Sequence, residues 1–396
     1  MWSYFKMELS KFFTNRKNIS IYVLLTCFAL FYAIRLAPAY DPIEKVDLHQ
    51  MEAKYLDREE FLISREGKDP YSAHPAVQYA VGVFKPWNTI ELTRMEALQK
   101  KDLKAYAIAT SNWYKFTDAQ TYKGGFYFYN PRYYTFGNAD AHEEGHLAYL
   151  STAARYEAYS KLDSDITLEV LEEFTAIQTF YRLMDDFLPY VFFVGCLLLS
   201  VDIVLQDRKY PTLLRGYPIV DWKKLIVKAL TAFVGSLCLI VPLLVGYIII
   251  GIQFGFGSLD FPVPIKSGYG FETITMASYF AKTGSLILCW FALIISFVIL
   301  LSVTLRNEVA NLIAGLIIIF SEYMYLDRGI GYLKPVENYP PTYTQVSQII
   351  TNMKNYFYTT IQIEYSKGLF LLIGCAAIFF ALALVVSLSK RYRFIK

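Results

Sequence analysis

Residues 142–146, His-Glu-Glu-Gly-His, have the His-Glu-x-x-His spacing of zinc peptidases. On a helix His142 and His146 lie one turn apart on one face, where both can bind zinc, and Glu143 can act as general base. No third His follows at a suitable spacing, and Gly145 weakens the helix that must hold the pair. The carboxylates that could complete a site are Glu157, Glu169, Glu172 and Glu173. A structural role is favoured, with a zinc peptidase or adventitious zinc binding as the alternatives.

Three ionisable residues lie within apolar runs of the sequence, namely Asp202, Lys228 and Glu322. Charged groups at membrane depth are costly, so they pair with one another or face a polar cavity. Asp202 and Lys228 lie near corresponding ends of neighbouring runs. A mutual ion pair, or snorkelling to the interface, is therefore favoured over ion transport. Glu322 is assigned to a polar cavity or an interface.

Other chemistry finds little support in the residue pattern. No stretch has the Gly-x4-Gly-Lys-Ser/Thr spacing of a phosphate-binding loop, so nucleotide hydrolysis by that route is not expected of this chain. The basic residues follow a membrane face and form no groove-reading motif, which argues against nucleic acid as a partner. All five cysteines fall in apolar runs, where they act as small hydrophobic residues and form no disulfide framework. No cofactor is expected in this chain.

The elements that must position these residues are long apolar runs. Hydrophobic residues make up 55% of the 396 positions, and the mean hydropathy is +0.31, which is typical of a membrane protein. We expect an all-α polytopic fold in which an amphipathic helix over residues 1–18 precedes six transmembrane helices. The predicted spans are 19–36, 187–205, 225–254, 285–305, 309–324 and 369–388. The region 187–396 thus holds spans two to six.

Lys and Arg residues cluster on one side of these spans, before the first and in the short segment 206–224. The positive-inside rule places that side in the cytoplasm, with both termini. Residues 37–186 then form an extracellular domain, with helical periodicity over 43–65, 88–116, 140–161 and 165–186 and a hairpin or packed loop over 122–136. This domain has 16 Lys/Arg and 24 Asp/Glu, a net charge of −8. A solvated acidic surface is the default reading, and attraction of a cationic peptide is the alternative.

The segment 206–224 contains a short predicted helix. Pro211 suits a first helical turn, and Gly216 followed by Pro218 ends it. The helix would lie along the membrane surface and present an apolar face on which a soluble partner could dock. That face consists of Tyr210, Leu213, Leu214 and Tyr217, with Arg215 at its solvated rim. The alternative is a basic turn that only fixes topology.

This arrangement resembles the permease subunits of ABC-2 type transporters. In that family an amphipathic elbow helix precedes the first span, an external domain may follow it, and a coupling segment joins spans two and three. The family's coupling pattern is an acid, Gly-Thr, a leucine-rich helix, Pro and a later Lys. The matching residues here are Asp207, Thr212, Leu213, Leu214, Pro218 and Lys228. Pro211 stands in place of the Gly, and the distance from Thr to Pro is about two residues shorter.

The resemblance implies a permease that works as a dimer with a second copy or a related permease. ATP and Mg²⁺ would bind to a separate ATPase subunit, and membrane lipid would surround the spans. Similar permeases with large external domains belong to Gram-positive bacteria and export peptides or give immunity to them. Two alternatives stay open: a membrane-anchored zinc peptidase, and a sensor or immunity protein that captures a peptide without transport.

Overall fold

The computed structural model describes residues 1–68, 73–124, 128–134, 140–209 and 219–388, and most of them are helical. The first ten helices are α1 Trp2–Thr14, α2 Arg16–Phe31, α3 Leu48–Arg65, α4 Pro75–Gln99, α5 Leu103–Gly124, α6 Ala141–Ser160, α7 Leu168–Leu171, α8 Ala176–Asp185, α9 Leu188–Ser200 and α10 Gln206–Lys209. The later elements are α11 Asp221–Leu237, α12 Ile240–Phe254, β1 Pro262–Ser267, β2 Gly270–Thr275, α13 Met276–Thr304, α14 Glu308–Phe320, α15 Val346–Ile350, α16 Met353–Tyr358 and α17 Tyr365–Leu388.

The described residues divide into two compact units. The first contains residues 1–39, 176–256 and 279–396, and the second contains 40–175 and 257–278. The predicted segment 37–186 is thus represented mainly in the second unit, which also takes in a stretch that lies far away in sequence.

The first unit holds the apolar helices. Four helices of the described chain are long and apolar enough to cross a membrane: Arg16–Leu36, Asp221–Phe254, Met276–Thr304 and Tyr365–Leu388. A fifth candidate is the pair Leu168–Asp185 and Leu188–Ser200, which is bent by 70°. These helices make the chain a helical membrane protein in its general class.

Two of the expected spans correspond to short helices. Both α9 and α14 have 13 residues, which is about 20 Å of helix and less than the roughly 30 Å hydrocarbon core. Each continues in a tighter form, with turns over residues 201–205 after α9 and a 3₁₀ turn, Ser321–Met324, after α14. Among the expected spans, the one over 225–254 extends back to Asp221 and is interrupted between α11 and α12, just before Pro242.

The second unit consists of α3 to α7 and a β-hairpin. The helices α4, α5 and α6 pack in sequence order, and their contacts bury a group of tyrosines that includes Tyr106, Tyr114, Tyr149, Tyr156 and Tyr159. Arg155 bridges the carboxylates of Glu44 and Glu173 beside this group. Burial raises the pKa of the Tyr114 hydroxyl well above its usual value, as expected when a phenol lies in an apolar core.

Two local features differ from the expectations. The periodicity over 88–116 belongs to two helices, because α4 ends at Gln99 and Lys101 adopts a left-handed conformation with φ 56°. Within the expected hairpin or packed loop over 122–136, the described residues 128–134 contain a 3₁₀ turn, Pro131–Tyr133, and no strand, so the packed loop is the alternative that fits them. The hairpin lies elsewhere: β1 pairs antiparallel with β2, from Pro262 opposite Thr275 to Ser267 opposite Gly270. The described residues are mainly helical, in agreement with the expected all-α class, and the sequence analysis missed this one hairpin, whose tight turn contains Gly268 with φ 56°.

Candidate functional site

Lys228 of α11 is fully buried and lies at the centre of a charged cluster. Its Nζ lies 2.9 Å from Glu8 Oε2 and 2.8 Å from Asp207 Oδ2. It also donates to the Ile203 carbonyl oxygen at 2.9 Å. An ammonium has three N–H donors, and three oxygens surround this one. We call Lys228, Glu8, Asp207 and Lys11 the Lys228 cluster.

The carboxylates of the cluster are as buried as the lysine. Glu8 lies in α1 and Asp207 in α10, and both are almost inaccessible to solvent. Lys11, which is partly exposed, lies 3.4 Å from Asp207 Oδ1. The cluster thus contains two carboxylates and two ammonium groups, so its formal charge is balanced, as a buried site requires.

Apolar side chains also pack between α1 and α11. Tyr4 of α1 and Val227 of α11 form a buried core with Phe5, Met7 and Ile219 packed around it. Further along, Gly235 faces Phe12 so closely that a Cβ there would lie 2.2 Å from the ring. The amphipathic helix α1 is therefore packed along α11 over several turns.

Asp202 has a different partner from the one expected. It pairs with Lys17 at the start of α2, and Gln206 donates to its Oδ2 at 2.7 Å. Lys17 also donates to the Leu198 carbonyl oxygen at 2.7 Å. The expectation of a pair between Asp202 and Lys228 is wrong, because the chain leaves the α-helix after Ser200 and its turns bring Asp207 to Lys228.

The expected docking helix lies outside the described residues. This applies to Tyr210, Pro211, Thr212, Leu213, Leu214, Arg215, Gly216, Tyr217 and Pro218. The residues on both sides of it are described, and both sides belong to the junction between α1, α10 and α11. Asp207 precedes the segment and binds Lys228, while α11 begins at Asp221 shortly after it. Asp221 in turn lies 3.6 Å from Lys224.

Glu322 forms a second buried cluster in the first unit. Tyr358 donates to its Oε1 at 2.8 Å and Thr344 to its Oε2 at 2.8 Å. Lys354 forms an ion pair with Oε1 and donates to Gln345 Oε1 at 2.6 Å. Glu322 and Lys354 are both buried. The sequence analysis missed Lys354 because it stands in a polar segment, where a lysine usually faces water.

The His-Glu-x-x-His residues lie on α6 in the second unit. The His146 Nδ1 lies 2.8 Å from Asp118 Oδ1, which also accepts a hydrogen bond from the Tyr129 hydroxyl at 2.7 Å. The ring of Tyr122 stacks on both His142 and His146, with centroids 5.0 and 4.0 Å apart. Within the described ranges, no group of three His, Cys, Asp or Glu side chains could hold a metal ion.

Three of the four carboxylates considered as a third zinc ligand are engaged elsewhere. Glu157 binds Lys115 and Lys161, and hydrogen bonds from these lysines lower its pKa to about 2. Glu172 accepts from the Val46 amide at 2.9 Å. Glu173 pairs with Arg155.

Gly145 has a packing role within the motif. A Cβ at this position would lie 2.3 Å from the ring of Tyr129, which is itself buried. The glycine therefore lets Tyr129 approach α6 and reach Asp118.

One unit contains apolar helices and buried ion pairs, and the second unit is rich in helices. The chain is therefore a helical membrane protein of the multi-pass class. Compared with family models, with curated proteins and with solved structures, the chain matches none.

Proposed function

We propose that this chain is the membrane-spanning permease subunit of an ATP-binding cassette transporter of the ABC-2 type. It exports a peptide or amphiphilic substrate, or gives resistance to one. ATP and Mg²⁺ bind to a separate ATPase chain, and a second permease copy, identical or related, completes the transporter. The observation that supports this proposal most is the ion pair between Asp207 and Lys228, since both residues belong to the coupling pattern that the sequence resembles.

The Lys228 cluster is suited to transmit force from the segment 210–218. It ties Asp207, which precedes that segment, to α11, which follows it, and ties both to α1 through Glu8. Removing one partner of a buried ion pair costs roughly 3–5 kcal/mol, so the three elements resist separation. A partner that moves residues 210–218 would then move α1 and α11 together.

The proposed topology has six spans and cytoplasmic termini in the cell membrane of a Gram-positive bacterium. The long candidates supply four spans, and α9 and α14 with their tighter continuations supply the other two. Cysteines at Lys68 and Asp260 should then react with an impermeant thiol reagent in intact cells. A cysteine at Lys223 should stay unreacted, and the reverse pattern would contradict the orientation.

The proposed substrate class follows from the charge of the region 37–186 and from the membrane class of the fold. The region 37–186 has an excess of acids, which raises the local concentration of cationic molecules. A cationic, amphiphilic peptide combines attraction to this surface with solubility in the membrane interface.

Co-purification tests the proposed function. Leu213→Glu with Leu214→Glu places carboxylates in the face that would dock on the ATPase, which costs roughly 2–5 kcal/mol when they lack partners. The tagged wild-type chain should bring down a protein that hydrolyses ATP, and the double variant should lose it. Arg215→Ala is the matched control and should retain it. If no ATPase co-purifies with the wild-type chain, the result would favour a sensor or immunity protein that captures a peptide without transport.

A zinc peptidase is the second candidate. It is favoured by the bond between Asp118 and His146 Nδ1, because a carboxylate often orients a zinc-binding imidazole in this way. Metal analysis of the purified chain discriminates. Stoichiometric zinc that disappears in His142→Ala and peptide hydrolysis that disappears in Glu143→Gln would support the peptidase, whereas a Glu143→Gln chain with unchanged function supports the permease.

A further inference from the structure

A groove runs between α3 and α4 in the second unit. It encloses about 410 Å³, which lies within the range of roughly 300–1,000 Å³ that ligand sites occupy. The residues that line it extend from Tyr55 to Glu66 on one side and from Val81 to Leu92 on the other. Each side therefore covers about three helical turns, or roughly 16 Å. This length suits a short peptide segment better than a small metabolite.

Glu59 brings a carboxylate to this groove without a cation to balance it. The side chain is half-buried. Among the described residues no cation forms an ion pair with it, and Arg58, its neighbour in sequence, pairs with Glu91 at 3.3 Å. A carboxylate that is partly removed from water is stabilised by an opposite charge. A cationic ligand would supply that charge.

Asn88 of α4 fixes the position of this carboxylate. Its Nδ2 donates to Glu59 Oε2 at 3.1 Å and to the Tyr55 carbonyl oxygen at 3.2 Å. The Oδ1 atom of Asn88 is buried and has no hydrogen-bond partner within the described part of the chain. The lining around Glu59 is thus rich in acceptors and short of donors. Ammonium and guanidinium groups, which only donate, complement such a lining.

The other charged residues of the lining lie at the rim. Arg65, Glu66 and Lys85 are all exposed, so water and salt screen their charges. The Arg65 guanidinium also lies over the ring of Phe61, 5.7 Å from its centroid. Glu59 is therefore the least exposed charge that a bound ligand would meet.

Apolar side chains form the remaining walls. Leu62 and Val81 are half-buried. Ile63 and Leu92 are 61% and 42% exposed. A ligand that covers them removes apolar surface from water. The groove thus combines one unbalanced carboxylate with apolar walls, and an amphiphilic cation matches both features.

We propose that the groove between α3 and α4 binds an amphiphilic peptide segment. A lysine ammonium or arginine guanidinium of the peptide pairs with Glu59, and its apolar side chains pack on Ile63 and Leu92. An amphipathic helix fits this arrangement, because its apolar face can lie in a groove while its cations reach the acidic group. The site rests on the proposed function for its substrate class, the cationic amphiphilic peptide, and gives that substrate a place on the chain.

Peptide binding to the purified full chain tests the charged contact. The probe is a fluorescent amphipathic peptide of leucine and lysine, its anisotropy is measured in a non-ionic detergent, and protein-free micelles are the blank. Glu59→Gln keeps an acceptor for Asn88 but loses the charge-assisted bond, so binding should weaken about ten-fold, which corresponds to about 1.4 kcal/mol. Glu60→Gln removes an equal charge at an exposed position outside the groove and should leave the affinity nearly unchanged.

Two further comparisons separate the groove from general attraction to an acidic surface. The same peptide with acetylated lysines should bind more weakly and should not distinguish Glu59→Gln from the wild type. Leu92→Ser should weaken binding of the lysine peptide several-fold. Its control is Ile108→Ser, at a position on α5 that is 39% exposed and does not line the groove.

Equal affinities of Glu59→Gln and Glu60→Gln for the lysine peptide would overturn the proposal, and so would a wild-type chain that binds neither peptide. If Glu59→Gln fails to fold, Thr89→Trp, which fills the groove from an exposed position, replaces it, and unchanged binding would then overturn the proposal. ATPase co-purification is measured on the same preparations. A chain that retains its ATPase but lacks groove binding contradicts this site alone, whereas selective binding without an ATPase supports the site and contradicts the permease.

Discussion

At Lys228 the ammonium donates hydrogen bonds to Glu8 and to the Ile203 carbonyl oxygen, and it forms an ion pair with Asp207. None of these groups can turn to water, because all three charged side chains are buried. Such a site adds little to the net stability, but removing one partner is strongly destabilising because it leaves a buried charge without its counter-charge. This intolerance gives the junction between α1, α10 and α11 a defined geometry.

Lys228→Met should reduce the free energy of unfolding by roughly 3–5 kcal/mol, since two buried carboxylates lose their counter-charge. Unfolding of the purified chain in detergent, followed by circular dichroism, measures the change. Lys334→Met, at an exposed position, is the control and should have little effect. Adding Glu8→Gln and Asp207→Asn to Lys228→Met should restore most of the loss, and a triple variant no more stable than the single one would contradict the cluster.

Gly145→Ala should destabilise the second unit although alanine favours helix. The new Cβ would lie 2.3 Å from the Tyr129 ring, and overpacking of this kind costs roughly 1–3 kcal/mol. The control is Gly82→Ala within α4, where a Cβ meets nothing within 4 Å, and helix propensity should stabilise by roughly 0.5–1 kcal/mol. Thermal unfolding followed by near-ultraviolet circular dichroism compares them. Equal shifts of the same sign would contradict the packing role of Gly145.

Among the elements, α9 and α14 are short helices, and each is followed by turns whose charged residues form ion pairs. Each is shorter than the hydrocarbon core is thick and continues in turns whose polar groups are bonded within the protein. After α9 the turns deliver Asp202 to Lys17 and Asp207 to Lys228. After α14 the turn delivers Glu322 to Lys354. A charged residue thus marks the point at which each short helix stops.

Glu322→Gln and Lys354→Met should each destabilise the chain, and the double variant should lose less than the sum of the two. Contacting buried charges have coupling energies of about 0.5–3 kcal/mol. The control cycle uses Glu96 and Lys100, an exposed pair on one helix, for which coupling of about 0.3–0.5 kcal/mol is expected. Unfolding in detergent provides all the values. A coupling energy between Glu322 and Lys354 no larger than that of the control pair would contradict the buried ion pair.

The sequence predicts elements better than it predicts partners. Apolar runs and helical periodicity indicate α2, α13 and α17 because those signals are local. The hairpin β1–β2 was missed since its strands are short and contain two prolines, Pro262 and Pro264, which usually argue against strand. Lys17 and Lys354 were missed as partners because an ion pair joins residues far apart in the chain, and spacing gives no information about such contacts.

At the scale of the whole molecule, the proposed permease combines a set of apolar helices with an acidic region of the chain. The sequence singles out Asp207 and Lys228 because they match the coupling pattern, whereas the ion pairs of these two residues with Glu8 and Lys11 are visible only in the structure. Glu8 is an acid in an otherwise cationic amphipathic helix, and this is the signal in the sequence that could have identified it. The central claim is that residues 210–218 contact a separate ATPase.

Site-specific photo-crosslinking in native membranes tests this claim most directly. A photoreactive amino acid replaces Leu213 or Leu214, and another replaces Tyr269 at the exposed hairpin tip as the control. After irradiation the crosslinked chains are purified under denaturing conditions and identified by mass spectrometry. We expect an ATP-binding cassette ATPase to be crosslinked at Leu213 or Leu214 and not at Tyr269. Crosslinks from both leucines that contain only lipid, or only this chain, would contradict it.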